Sequence, residues 1–203
     1  MDTSDLYRDV TDFARSTPGW VQSVAELWTE AGIVLFGLLF VALWWRARPL
    51  DHRAQALAVL APLATAAAYV VSELLKSVVQ EERPCRAVAG AGSPLISCPP
   101  YGDWSFPSNH SAIAGAAAIA LAVVVPRLAL LTVPMALLMA FSRVFVGVHY
   151  PHDVAMGLLF GGSAAALLMA VAAVPMTRVV ASVRSSGRPA AVWITGAGPA
   201  GRP

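Results

Sequence analysis

An all-α fold, a polytopic transmembrane bundle of five to six helices with an interfacial helix at its N-terminus, is predicted by three features of the chain. Hydrophobic residues make up 57% of its 203 positions and charged residues 13%, against about 25% charged in soluble domains. Mean hydropathy is +0.64. Five apolar runs approach the roughly 20 residues that a helix needs to cross hydrocarbon. These properties exclude a soluble globular protein, and no basic run points to nucleic acid as a partner.

The first thirty residues carry six acidic residues against two arginines. Leu6, Val10 and Phe13 share one helical face, and Trp20, Val24, Leu27 and Trp28 another. That pattern predicts a helix lying in the membrane interface, broken at Pro18-Gly19. It lacks the basic start, apolar core and small-residue cleavage site of a signal peptide, so it is expected to stay on the mature protein. Three regions follow: an interfacial segment at 1–26, a membrane domain at 27–177, and a basic tail at 178–203 that is expected to be disordered after Gly187 because it is rich in Gly and Pro.

The predicted crossings are 27–45, 54–79, 109–125, 128–146 and 153–177. Glu73 and Lys76 fall in the second and Arg143 in the fourth, all near the same membrane face. Charges inside a span are costly to bury and mark function by default. With five crossings, the loop from Arg46 to Arg53, the turn at Arg127 and the tail bearing Arg178, Arg184, Arg188 and Arg202 share one side, which the positive-inside rule makes cytoplasmic. The 81–106 loop and the 146–152 turn then face outward. Trp44, Trp45 and Trp104 read as interface anchors, and Gly157-Leu-Leu-Phe-Gly161 as a helix-packing seam. Abundant Arg and Ala with a single lysine suggest a GC-rich bacterium, and hence its plasma membrane as the location.

Cys85 and Cys98 both lie in the outward loop. An oxidising compartment would let them close a disulfide; the other reading is two unpaired thiols. Two cysteines fall short of a structural zinc set.

Three clusters face outward together: Lys76 with Arg83-Pro84, Pro107-Ser108-Asn109-His110, and Ser142-Arg143 with His149 and Asp153. Phosphoryl transfer needs a nucleophile, an acid for the leaving oxygen, and fixed positive charge around the other oxygens. His149 is the candidate nucleophile. Asp153, four residues on, can hold its ring in one tautomer. His110 is the candidate acid and then base. Lys76, Arg83 and Arg143 form a cationic clamp, and the start of the helix at Ser108 and Asn109 offers backbone N–H groups to an anion. Any one cluster alone reads as ordinary structure; their shared membrane face favours a site. Glu73 is expected to pair with Lys76 or an arginine, His152 to sit at the rim, and Glu81, Glu82 and Asp103 to face water or pair with Arg86, since inward carboxylates repel an anion.

Ordered in this way, the residues resemble the type 2 phosphatidic acid phosphatase (PAP2) family. Its pattern is Lys-x6-Arg-Pro, then Pro-Ser-Gly-His, then Ser-Arg-x5-His-x3-Asp. The first and third elements match in full, and the second carries Asn109 in place of Gly. The resemblance covers roughly 54–175. It implies a helical bundle sharing its core with vanadium haloperoxidases, and hydrolysis of a lipid phosphate through a phosphohistidine with no metal or other cofactor. Substrates implied are polyprenyl pyrophosphates, phosphatidylglycerol phosphate or phosphatidate. Asn109 tolerates left-handed backbone and keeps its N–H, so substrate fit rather than activity would change. The carrier pyrophosphate is the leading reading, since the site faces outward. The competing readings are a glycerophospholipid phosphatase, a catalytically silent lipid-binding protein, and a flippase; the last lacks a broken apolar repeat pair or a midplane charge path.

Overall fold

The computed structural model describes residues 2–199, and the regular secondary structure among them is entirely helical. In order these are α1 (Ser4–Ser16), α2 (Gly19–Ala47), α3 (His52–Val79), the single turn α4 (Pro84–Ala87), α5 (Asn109–Val124), a 3-10 turn at Pro126–Leu128, α6 (Ala129–Phe145), α7 (Pro151–Ser185) and α8 (Pro189–Thr195).

Four of them, α2, α3, α6 with its preceding turn, and α7, are long and apolar enough to cross a membrane. The fifth predicted crossing, α5, has 16 residues, or about 24 Å at ~1.5 Å per residue. It sits at the centre, packed against α3, α6 and α7. Its sequence explains that position. Ala112, Ala114, Ala116, Ala117, Ala118 and Ala120 are all buried, and a helix of such small side chains can be approached closely from every side.

The closest approach is to α7. A Cβ placed on Gly115 would lie 2.5 Å from the Leu158 carbonyl, and one on Gly157 would lie 2.6 Å from the Ser108 carbonyl. The predicted seam at Gly157 and Gly161 is therefore the line where α5 and α7 touch backbone to backbone. That contact brings Ser108, Asn109 and His110 at the start of α5 beside Asp153 at the start of α7.

Two helices are longer than the hydropathy suggests. The break at Pro18 is present, but Trp20 to Trp28 continue into the first span, so α2 begins at Gly19 and not near residue 27. Pro18 stands at the N-cap, and no residue after it interrupts the helix. At the other end α7 continues to Ser185. The tail also departs from expectation, because residues 189 to 195 form α8. Trp44 Nε1 donates to the Ile194 carbonyl at 2.9 Å, and Arg184 donates to the Thr195 carbonyl at 2.6 and 3.1 Å. Partners from α2 and α7 thus satisfy the carbonyls of a segment whose own composition gives no helix signal. Arg202 lies outside the described residues.

At the opposite end, Cys85 and Cys98 are joined in a disulfide across the 81–106 loop, 13 residues apart. A closure of this length contributes about 3 kcal/mol in the chain-entropy account. Helix α1 packs over this end with Tyr7, Thr11 and Ala14 buried, while Leu6 and Phe13 remain exposed. Tyr7 donates through its hydroxyl to the Gly147 carbonyl at 2.8 Å.

Candidate active site

A cavity of about 630 Å³ opens at the disulfide-bearing end of the bundle. Lys76, Arg83, Asn109, His110, Arg143 and His149 all line it, so three separated sequence clusters converge on one space. Each arrives for a local reason. Lys76 is in the last turn of α3, where its cation also suits the helix C-terminus. Arg83 is the N-cap of α4, with Pro84 fixing the turn that follows. His110 is in the first turn of α5, and Arg143 in the last turn of α6. His149 lies in the short connection to α7, whose first turn carries Asp153.

His149 is buried, and both ring nitrogens have partners. Nδ1 lies 3.3 Å from Asp153 Oδ2, and Nε2 lies 3.0 Å from Arg83 Nη1. A guanidinium can only donate. Nε2 must therefore present its lone pair, which puts the ring proton on Nδ1, facing the carboxylate. Burial, with the charges of Arg83, Arg143 and Lys76, pushes the His149 imidazole well below its usual pKa, so it is held neutral. Asp153 Oδ2 also accepts from Ser105 Oγ at 2.5 Å and from the Tyr150 N–H at 2.8 Å. Those two donors fix the carboxylate that orients the ring.

The cations are set by different partners. Arg83 donates to the Val148 carbonyl at 3.0 Å, to the Asp103 carbonyl at 2.8 Å and to Asp103 Oδ1 at 2.8 Å. Arg143 donates to Thr29 Oγ1 of α2 at 2.7 Å. His110 Nε2 is 3.8 Å from Glu30 Oε1, also of α2.

Two expectations need correction, and Ser108 stands back from the cavity. Asp103 does not face away: its Oδ1 sits between Lys76 Nζ at 3.0 Å and Arg83 Nη2 at 2.8 Å. Burial alone would raise the Asp103 pKa, but hydrogen bonds from Arg83 and Lys76 outweigh it and hold the carboxyl below its ordinary value. Two desolvated cations need a counter-charge, and this carboxylate provides it. Glu73 accordingly does not pair with Lys76; it accepts from the Asn109 side chain, while Ser72 Oγ donates to Asn109 Oδ1 at 2.7 Å. Ser108 is buried as the N-cap of α5, its hydroxyl accepting from the Ser111 N–H and its own N–H donating to the Asp153 carbonyl at 3.1 Å. It joins α5 to α7 and does not line the cavity. Glu82 pairs with Arg86 as expected, while Glu81 meets His152 at 3.0 Å. Ser105, Thr29 and Glu30 were not anticipated; they lie outside the three clusters, and no spacing ties α2 to the site.

The PAP2 superfamily profile matches residues 55–176, a stretch that begins at the start of α3 and contains every cluster described. The chain belongs to the PAP2 superfamily. Among curated relatives of this PAP2 protein, the undecaprenyl-diphosphatase BcrC of Bacillus subtilis is 33% identical over 134 residues, 66% of each chain. A lipid A 1-phosphatase of Rhizobium etli is 47% identical over 58 residues, 29% of this chain and 25% of that protein. The chain thus spans from about a quarter to about two thirds of the length of these relatives. The crystal structure of a PAP2-type phosphatidylglycerolphosphate phosphatase from Bacillus subtilis has the same fold, with a TM-score of 0.62 at 21% identity, covering 82% of this chain and 84% of that one.

Proposed function

We propose that this PAP2 protein is a membrane lipid phosphatase that hydrolyses the terminal phosphate of a polyprenyl pyrophosphate through a phosphohistidine on His149, at the extracytoplasmic face of a bacterial plasma membrane. The observation that carries the proposal is the neutral His149 ring, held between Asp153 and Arg83 in a cavity that also holds two further cations. In this reading the incoming phosphate takes the Arg83 N–H from Nε2, and the freed Nε2 lone pair attacks the terminal phosphorus. The N–P bond forms as the bridging P–O bond breaks, and His110 gives its proton to the departing polyprenyl phosphate. His110 then takes a proton from water, whose oxygen attacks the same phosphorus, breaks the N–P bond and releases inorganic phosphate. Lys76, Arg83 and Arg143 hold the phosphate oxygens, with the Asn109 end of α5 beside them.

No step calls for a metal. The polyprenyl choice is supported by the two-thirds match to an undecaprenyl-diphosphatase, and the outward orientation by the arginine-rich loops at the other end. Phosphate release by purified protein from undecaprenyl pyrophosphate is expected to persist in EDTA and to vanish in His149→Ala. Preference for phosphatidylglycerol phosphate would change the substrate. Equal release by the variant would refute the role of His149.

A substrate phosphate must displace Asp103 from Lys76 and Arg83. Asp103→Asn removes that competing charge but keeps a group of the same shape, so KM should fall by about tenfold, corresponding to ~1.4 kcal/mol of tighter binding. Steady-state kinetics with a soluble short-chain analogue measures this; an unchanged or higher KM would mean that Asp103 stays in place and orders the clamp.

A further inference from the structure

We infer that Glu81, His152 and Asp153 form a binding site for a divalent cation of the zinc class, on the side of Asp153 turned away from His149. None of the hydrolytic steps uses Glu81 or His152. The ring of His152 is fixed: it stacks on Tyr150 with centroids 5.2 Å apart, and Nδ1 is 2.8 Å from Thr3 Oγ1. Nε2 then points between two carboxylates, 3.0 and 3.2 Å from the Glu81 oxygens and 3.3 Å from Asp153 Oδ1.

A second observation points to a ligand. Asp153 is 0% exposed, and while Oδ2 has three partners, Oδ1 has no hydrogen bond and faces only the His152 ring nitrogen at 3.3 Å. A buried carboxylate oxygen left in this state is costly, and charged groups of this kind are ordinarily paired or coordinate a metal. The Oδ1 atom faces the Glu81 and His152 ligand atoms, and all three donor groups lie within 4.8 Å of one another. Tetrahedral ligands at about 2.0–2.1 Å from zinc stand ~3.3 Å apart, close to the 3.0 and 3.3 Å that separate His152 Nε2 from Glu81 and from Asp153. One imidazole with two carboxylates suits zinc better than calcium or magnesium, which prefer oxygen ligands alone. Thr3 can accept from Nδ1–H, the outer partner that fixes a ligating histidine.

The ion would draw on the carboxylate that orients His149. If that residue acts as proposed above, zinc is an inhibitor; the binding itself does not depend on that reading.

Untagged protein in detergent, stripped with EDTA and desalted, can be titrated with Zn2+ against a chromophoric chelator. One ion per chain is expected, bound at least about 100-fold more weakly by Glu81→Gln and by His152→Asn, with phosphate release inhibited in the parent and resistant in both variants. X-ray absorption of the loaded protein should show one imidazole with oxygen ligands. Absence of stoichiometric binding, or binding unaltered in both variants, overturns the site. Inhibition that persists in variants that no longer bind the ion overturns its action through Asp153 and places zinc on the substrate phosphate or on another histidine. Binding as described in a protein that releases no phosphate from any lipid supports the site and removes the catalytic reading instead.

Discussion

Arg83→Lys should lower kcat/KM for lipid phosphate by roughly a hundredfold to a thousandfold, the range found when one preorganised donor to a developing oxyanion is lost. The bundle should stay folded. Arg83 is 3% exposed and directs its fork at four acceptors: two backbone carbonyls, the Asp103 carboxylate and His149 Nε2. Lysine keeps the charge but has one nitrogen, so it cannot hold the Val148 and Asp103 carbonyls while also reaching a phosphate. The His149 lone pair then loses the donor that orients it. Lysine is the informative change because alanine would leave buried acceptors and Asp103 without a partner, confounding activity with stability. Phosphate release beside circular dichroism separates the two. A fully folded Arg83→Lys enzyme with unchanged kcat/KM would remove Arg83 from the clamp and leave Lys76 and Arg143 to carry the charge.

How far the site was legible in the sequence depended on the kind of interaction. Lys76, Arg83, His110, Arg143 and His149 could be placed together because helix periodicity and loop direction bring their segments to one membrane face, and each projects into the cavity. Asp103 was misjudged for an electrostatic reason. A carboxylate near an anion site is repelled only when the anion is present; without it, two buried cations attract the carboxylate. Ser108 stands back from the cavity, its hydroxyl accepting at the cap of α5 and its N–H given to the Asp153 carbonyl. The contribution of α2 was invisible, since Thr29 and Glu30 owe their roles to the packing of α2 against α6 and α5 and to nothing in their own neighbourhood. The same holds for α8. Its carbonyl partners, Trp44 and Arg184, come from α2 and α7 and are tertiary by nature.

Gly157→Val should destabilise the protein by about 3 kcal/mol or more, the upper range for overpacking, and abolish activity with it. In most helices a glycine costs stability, and a larger residue would be welcome. Here the missing side chain is what lets α5 and α7 meet. A Cβ at residue 157 would lie 2.6 Å from the Ser108 carbonyl and 2.9 Å from Ser111 Cβ. The carbonyl is backbone at the start of α5, so relief requires α5 to move away from α7. That motion separates His110 on one helix from His149 and Asp153 at the head of the other, and it breaks the Ser108 N–H bond to the Asp153 carbonyl. Gly37→Ala on α2 serves as the control, because nothing lies within 4 Å of the Cβ that it adds; it should leave the apparent Tm in detergent and the rate unchanged. If Gly157→Val matched Gly37→Ala in both, the spacing of α5 and α7 would not set the geometry of the site. The catalytic groups would then have to be held together from the loop side, by Arg83 and the disulfide-closed segment that carries Asp103 and Ser105.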